Sequence, residues 1–310
     1  MTISGQVEII RGFINNPRIQ FKLIMKIDSW NMLCSSLDTI GDTELAIDAY
    51  IEKKDTDDDG GKYLTAYGIL QVLFVQQESV KYLHKSLGIE YFDDPTLKNI
   101  REIRNDSVGH PIRTDYSKRP VAFNFITRIS LTKRGFVLMK TFPDERDPEF
   151  ITVDMIDLVK KQQRVHNSML SAVSKHLREE DMKHKKTFAK EKLENILPRT
   201  LSYYVQKVIE AIHGGKPSSI GLVHANMIAD HLGKLKNALR SREIYEAYDS
   251  VKYEIELLEY PLSELQSYFE EAKRSHINEK DAYIFADFVG RRIEKLRDIA
   301  TEIDKEYSSV

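Results

Sequence analysis

The segment Tyr63–Leu87 constrains the fold more than any other part of the chain. Its apolar residues recur at spacings of three and four, which is typical of a helix. Between Leu64 and Val75 they cover almost the whole circumference of that helix. A helix that is apolar nearly all round has to be covered on several sides. The sequence therefore predicts a central helix surrounded by others, with Gly88 as its C-terminal stop.

Helical spacing of apolar residues continues through most of the chain. No single period dominates before residue 19, but the helical pattern extends over 19–54, over 151–193 and through further segments beyond. Residues 121–143 differ, because apolar and polar positions alternate there around a turn, which predicts a β-hairpin. The predicted fold is mainly α, a helical bundle over residues 1–190 that includes this inserted hairpin, followed by a helical C-terminal domain over 191–310.

The composition excludes several classes of protein. The chain has 310 residues and a formal net charge of −2, so no broad basic surface marks it as a nucleic-acid-binding protein. Its one cysteine, Cys34, cannot form an internal disulfide, which fits a reducing compartment. No apolar run reaches the ~18 residues of a membrane span, and the N-terminus lacks the apolar core of a signal peptide. We therefore expect a soluble, cytoplasmic protein that does not contact a membrane.

The segment Asp55–Gly60 opens like a calcium-binding loop, but the complete pattern is not met. The twelfth position of such a loop would be Ala66, where a bidentate glutamate is required. We interpret the segment as an acidic surface loop that caps the following helix, and calcium binding ranks last among the hypotheses. The sequence has no HExxH or CxxC motif and no carboxylate cluster, so we expect neither a metal nor a cofactor.

The candidate site lies in the segment Leu97–Arg113. Its apolar residues share one side of a helix, and Arg104 falls among them. A guanidinium cannot be neutralised, so at such a position it needs an anionic or polar partner. Asn105 follows directly, and His110 comes six residues after the arginine, just beyond Gly109, where we predict that the helix ends. The sequence thus predicts a small polar cluster at a helix end, in an apolar setting.

These three side chains suit the cleavage of RNA without a metal. The 2′-hydroxyl of RNA is itself a nucleophile toward the adjacent phosphate, so no serine or cysteine nucleophile is needed. His110 could take the proton of that hydroxyl or give one to the leaving 5′-oxygen. Arg104 could stabilise the extra negative charge on the phosphate in the transition state. Asn105 could orient the histidine or bind a phosphate oxygen.

The spacing of the arginine and the histidine points to a dimer. Six residues turn an α-helix through about 600°, which leaves Arg104 and His110 about 120° apart around the axis. The two side chains of one copy therefore need not converge. Two copies that meet across a symmetric interface would bring two of each together in one composite site.

The residues Arg104-Asn105-x4-His110 resemble the R-x(4–6)-H signature of HEPN domains, including the polar residue directly after the arginine. The resemblance covers the chain from about Ile19 to Lys190. It implies an α-helical bundle and, as in many members of the family, a metal-independent endoribonuclease that acts as a dimer in toxin–antitoxin or anti-phage systems. It also implies a homodimer with RNA as its substrate, and an antitoxin or a defence-system protein as a further partner.

A second hypothesis is a non-catalytic helical module that binds RNA, a nucleotide or a protein. In that case Arg104 pairs with a carboxylate and His110 simply ends the helix, because buried charges are commonly paired for structural reasons. A structure separates the two hypotheses, because a catalytic pair has to be accessible to solvent. The sequence does not identify the RNA target or the role of the C-terminal helices.

Overall fold

Helices form most of the chain, as the sequence predicts, and one small antiparallel sheet interrupts them. The computed structural model describes residues 2–54, 58–113, 121–214, 218–270 and 276–308. The helices are α1 (Ile3–Ile14), α2 (Pro17–Ile24), α3 (Ile27–Glu52), α4 (Asp59–Leu87), α5 (Pro95–Arg104), α6 (Met155–Phe188), α7 (Thr200–His213), α8 (Ser219–Ser241), α9 (Asp249–Glu270) and α10 (Glu279–Ser308). The strands are β1 (Phe123–Ile126), β2 (Gly135–Thr141) and β3 (Glu149–Asp154). Within the described residues, no helix is both long enough and apolar enough to cross a bilayer.

The chain divides into two compact units. The first contains residues 1–15 and 22–177, and the second contains residues 16–21 and 178–310. The pattern of the sequence predicts a boundary near residue 190, whereas the chain divides inside α6, between Leu177 and Arg178. The candidate site and the sheet both belong to the first unit.

The first unit has a core in two parts, both of which use α3, α4 and α6. One part adds α1, whose residues Ile3, Val7, Ile10 and Ile14 are all buried. The other adds α5 and the sheet. The spacings of four, three and four between these residues are a helical pattern, although no single period was recognised before residue 19. The expected helix over 19–54 is in fact two helices, α2 and α3.

Helix α4 is central to this core, although it is not covered all round. Ala66, Leu70 and Leu73 are fully buried, whereas Leu64 is 74% exposed. The predicted stop at Gly88 is confirmed: this residue has a φ of 68°, and its N–H bonds to carbonyls of the last helical turn. A left-handed backbone at that position favours glycine.

The inserted β element is larger than predicted. Strands β1 and β2 form the expected antiparallel pair, with Phe125 opposite Met139. However, β3 pairs with the other edge of β2, with Val153 opposite Phe136. The prediction of a helix from Ile151 was wrong at its start, because the β-branched run after Phe150 alternates between the two faces of a sheet and buries Val153. Helix α6 begins only at Met155 and ends at Phe188 instead of near residue 193.

The sheet packs on the helices of the first unit, as an isolated hairpin would need to do. Phe136, Leu138 and Val153 are buried in the same cluster as Leu70 and Leu73 of α4. The opposite face of the sheet stays open, and Phe125 and Phe150 are 50% and 64% exposed there. Ile129, which the alternating pattern placed beside Phe125, lies instead in a short 3-10 turn and is 98% exposed.

A buried polar network joins α3, α4 and α6. Gln76 Nε2 donates to Glu44 Oε1 at 2.6 Å, and Gln76 Oε1 accepts from Gln162 Nε2 at 2.9 Å and lies 3.1 Å from His166 Nδ1. Gln77 Nε2 donates to Gln162 Oε1 at 2.8 Å. Because these amides and the imidazole lie out of water, each hydrogen bond offsets a desolvation cost. The network therefore fixes how α4 and α6 are rotated against each other.

Helices α7 to α10 enclose the core of the second unit. All of them contribute to one cluster of buried residues, which includes Tyr245, Tyr268 and Phe269. Residues 16–21 belong to this unit through Arg18, whose side chain is 10% exposed and pairs with Asp181 at 2.6 Å.

The unfolding free energy should depend on pH through His166. Burial, and then the nearby His84 imidazole, lowers the pKa of His166 from 6.5 to about 3. Between pH 7 and pH 5 the unfolded chain gains a proton at this residue and the folded chain does not. The unfolding free energy should therefore fall by about 2 kcal/mol over this range because of His166 alone.

Replacing His166 by Asn should remove this contribution, since Asn keeps a donor for Gln76 Oε1 but does not titrate. Denaturant unfolding at pH 7 and pH 5 measures the change in unfolding free energy. Substitution of an exposed histidine, His176→Asn, is the matched control. An equal pH dependence in His166→Asn and the wild type would contradict the assignment.

Candidate functional site

Helix α5 presents the candidate site, with Arg104 as its last residue. Asp94 caps its N-terminus by accepting from the N–H of Thr96 at 2.7 Å, and Pro95 occupies the first turn. Proline suits that position because its missing N–H would have no helical partner there. Leu97 and Ile100 are buried against the core, which sets the rotation of the helix and turns Arg104 toward α4.

The end of α5 widens into a π turn over Asn105–Gly109. The N–H of His110 donates to the carbonyl of Asn105 at 2.7 Å, which closes a turn one residue wider than an α turn. The helix thus ends at Gly109, and His110 follows in a non-helical conformation, as predicted. Turns of this kind are rare in proteins as a whole, but many of those that occur lie at functional sites.

Arg104 is half-buried and is held by neutral groups. Its Nη2 and Nε donate to Oε1 of Gln71 at 2.7 and 3.3 Å, and its Nη1 donates to Oδ1 of Asn105 at 3.0 Å. Its guanidinium carbon lies 4.4 Å from the centre of the Phe74 ring. Within the described residues no carboxylate pairs with Arg104, so the positive charge is oriented without being neutralised.

The neighbouring Arg101 provides a comparison within the same site. Its guanidinium carbon lies 5.0 Å from the centre of the same Phe74 ring. Unlike Arg104, however, Arg101 forms an ion pair with Glu78, with 2.6 Å between Nη2 and Oε1. Two arginines thus share one aromatic ring, and in the part of the chain that the structure describes only Arg101 pairs with a carboxylate.

The Arg104 side chain reaches the residue directly before the histidine. A Cβ at Gly109 would lie 2.7 Å from Arg104 Nη1, so glycine leaves room for the guanidinium. The His110 side chain is exposed. Asn105 links the two residues, because its side-chain oxygen holds Arg104 and its carbonyl holds the backbone of His110. The three predicted site residues therefore lie together at one helix end, open to solvent.

The sheet fixes the chain on both sides of His110. Before it, the buried Asp106 forms an ion pair with Lys140 of β2, and the side chains of these residues are 5% and 18% exposed. After it, the carbonyl of Pro111 accepts from the N–H of Asn124 in β1 at 2.9 Å. His110 is thereby held beside the edge of β1 that faces away from β2.

Sequence reasoning missed four residues of this site: Gln71, Phe74, Lys140 and Asp106. One signal for Gln71 was available, because it is a polar residue inside the apolar run between Leu64 and Val75. No local pattern marked Lys140, because its partner lies 34 residues earlier in the chain.

A groove between α3 and α4 begins beside the arginines. Its volume is about 440 Å³, and its lining includes Phe74, Val75, Glu78 and Tyr82 of α4. This size falls within the ~300–1,000 Å³ of small-molecule sites. The groove and the two arginines thus share the Phe74 ring.

The described residues contain no set of side chains arranged to bind a metal ion. No group of three or more His, Cys, Asp or Glu side chains there could hold a metal ion. Residues 55–57 of the calcium-like segment lie outside the described part of the chain. Asp58 of the same segment caps α4, accepting from the N–H of Gly61 at 2.7 Å, so the prediction of a capping role is confirmed.

Comparison of the chain with protein-family models, with curated proteins and with solved structures found no match.

Removing Lys140 should destabilise the fold, because it would leave the buried Asp106 carboxylate without a cation. We expect Lys140→Met to lower the unfolding free energy by about 3 kcal/mol. Arg134→Met is the matched control. Its pair with Asp154 is largely exposed, so the loss should stay below about 1 kcal/mol.

Denaturant unfolding measures both losses. Adding Asp106→Asn to Lys140→Met should recover part of the stability, because the uncompensated charge is then gone. Equal losses in the two single variants would show that the pair is not effectively buried.

Proposed function

We propose that this chain is a metal-independent endoribonuclease of the HEPN type that acts on RNA in the cytoplasm. One observation carries the proposal: an arginine that pairs with no carboxylate among the described residues shares its helix end, which widens into a π turn, with an exposed histidine. A structural ion pair at Arg104, which the non-catalytic hypothesis requires, is not found among the described residues. A positive charge held by neutral groups remains available to a phosphate.

The proposed reaction exchanges one phosphoester bond for another and needs no co-reactant. The 2′-oxygen attacks the adjacent phosphorus, and a neutral imidazole takes the proton of the 2′-hydroxyl. The bond from phosphorus to the 5′-oxygen breaks, and a protonated imidazole supplies the proton to that oxygen. The products are a 2′,3′-cyclic phosphate and a 5′-hydroxyl. Arg104 stabilises the additional negative charge on the phosphate oxygens in the transition state.

Two copies of the chain would supply the two imidazoles. An exposed apolar surface supports this arrangement, because Leu64 and Tyr67 are 74% and 41% exposed and share one face of α4 with Gln71. Gln71 holds Arg104, so a second copy seated on this face would place its own motif next to the first. The homodimer with a composite site is therefore part of the proposal.

The arginine and the histidine should both be required for cleavage. We expect Arg104→Ala and His110→Ala each to lower the cleavage rate of single-stranded RNA by about 100-fold or more, the typical effect of losing a general acid or base. Arg104→Lys should not restore the rate, because an ammonium cannot reproduce the planar contacts with Gln71 and Phe74. Mass spectrometry of the products should show the cyclic phosphate, and EDTA should not inhibit the reaction.

The matched controls are His176→Ala, an exposed histidine of α6, and Lys98→Ala, an exposed cation of α5. Both should cleave at the wild-type rate. Unchanged cleavage in His110→Ala would favour the second hypothesis, a non-catalytic helical module that binds RNA, a nucleotide or a protein.

Mixing the two inactive variants tests the composite site. A heterodimer of Arg104→Ala with His110→Ala retains one intact arginine and one intact histidine on opposite subunits. If each phosphate meets groups from both copies, the heterodimer should cleave faster than either inactive homodimer, because it keeps one arginine and one imidazole at the composite site, but more slowly than the wild type, which has two of each. If each copy acts alone, the mixture should be as inactive as its components, and a monomer in analytical ultracentrifugation would have the same meaning.

The biological context of the proposal comes from the resemblance. HEPN ribonucleases act as toxins and as anti-phage effectors, so an antitoxin or a defence-system protein is the expected partner. Expression of the wild type should arrest growth of a bacterial host, whereas His110→Ala should not.

A further inference from the structure

The open face of the three-stranded sheet carries a row of apolar side chains that points toward the candidate site. Phe125 of β1, Met139 of β2 and Phe150 of β3 lie opposite one another in register. Phe125 and Phe150 are 50% and 64% exposed, although each is large and apolar. Side chains alternate between the faces of a strand, so all three belong to the face away from the core.

This row leads to His110. Strand β1 is at one edge of the sheet. The side of β1 that faces away from β2 bonds to Pro111, the residue after the histidine. Adjacent strands are about 4.8 Å apart, so Phe150 and Phe125 are separated by about 10 Å across the sheet. One further step of the same size reaches the segment that contains the site.

We propose that this face is a stacking platform for the bases of single-stranded RNA, which feeds the strand to the site at His110. The inference rests on the proposed function and specifies its substrate as unpaired RNA. Exposed aromatic rings on a sheet bind unpaired bases by stacking, largely without regard to sequence. Bases of a duplex are not accessible to such rings, so the platform selects single strands.

The size of the face favours a nucleic acid over a folded protein partner. Only about four residues of each strand share the register, which gives roughly 200 Å² from strand rise and spacing. A stable protein interface needs about 800 Å² from each partner. Two bases stacked on two rings require far less, and the area available is sufficient for them.

Charged groups are scarce on this face of the sheet. Phe125, Met139 and Phe150 are uncharged, and the carboxylate of Asp154, which shares their face, pairs with Arg134 at 2.9 Å. The row therefore offers an apolar surface to bases, and the segment that contains Arg104 and His110 lies beyond the edge formed by β1.

Binding is measured separately from cleavage in a His110→Ala background. The probe is a fluorescein-labelled single-stranded RNA of mixed sequence, and its blunt duplex is the comparison; fluorescence anisotropy gives the dissociation constants. We expect Phe125→Ala and Phe150→Ala each to weaken single-strand binding by about five- to 100-fold, as for the loss of one stacked base. Duplex binding should change by less than about twofold.

The matched control is Ile129→Ala, because Ile129 is 98% exposed and lies outside the row. It should bind like the parent, and Phe125→Trp should restore stacking. Because the row is uncharged, the loss caused by Phe125→Ala should be similar at roughly 50 and 300 mM salt. Circular dichroism checks that the exposed substitutions leave the fold intact.

Several results would overturn the platform. These are an unchanged affinity in the Phe125→Ala/Phe150→Ala double variant, an equal loss for duplex RNA, an absence of single-strand binding by the parent, and a change of oligomeric state in the double variant. The outcomes are separable from the proposed function. Binding without cleavage by the wild type would refute only the nuclease, whereas cleavage that is unaffected by the double substitution would refute only the platform.

Discussion

The packing of α4 is the constraint on which the rest of the first unit depends. Its buried side presents Leu70 and Leu73 to the core, and Gln76 and Gln77 bond to α6 in the interior. Amides in a core fix rotation more strictly than aliphatic groups do, because a rotated helix would leave them without partners. With that rotation fixed, Gln71 and Phe74 face α5, and they determine where Arg104 can lie.

The consequence for the site is electrostatic. A half-buried guanidinium is usually held by a carboxylate, and the two paired charges together attract an anionic ligand only weakly. Here the partners are two amide oxygens and an aromatic ring, which orient the group by hydrogen bonds and by the ring quadrupole. Arg101, one turn earlier on α5, shows the other outcome, since Glu78 neutralises it over the same ring. Among the described residues only Arg101 of the two has a carboxylate partner, which is why we propose Arg104 as the group that would bind a phosphate.

The sheet has two roles that follow from its two faces. Its inner face buries Phe136 and Leu138 and places Lys140 against Asp106, which holds the π turn. Its outer face leaves the row from Phe150 to Phe125 in solvent. Because β1 also bonds to Pro111, the same small element both positions the histidine and offers a surface beside it. An insertion in a helical bundle thereby becomes part of the site.

The sequence by itself determined which segments form most of the helices and the first two strands, and where some of the helices begin or end. Periodicity identified most of the helices and the β1–β2 pair, Gly88 and Gly109 were recognised as helix ends, and Arg104 stood out among apolar neighbours. These are local properties, since burial patterns and caps involve residues a few positions apart. Only the tertiary structure decided the third strand, the π turn and the partners of the arginine. Gln71 lies 33 residues from Arg104 and Lys140 lies 34 from Asp106, and such pairs are selected by how whole elements pack.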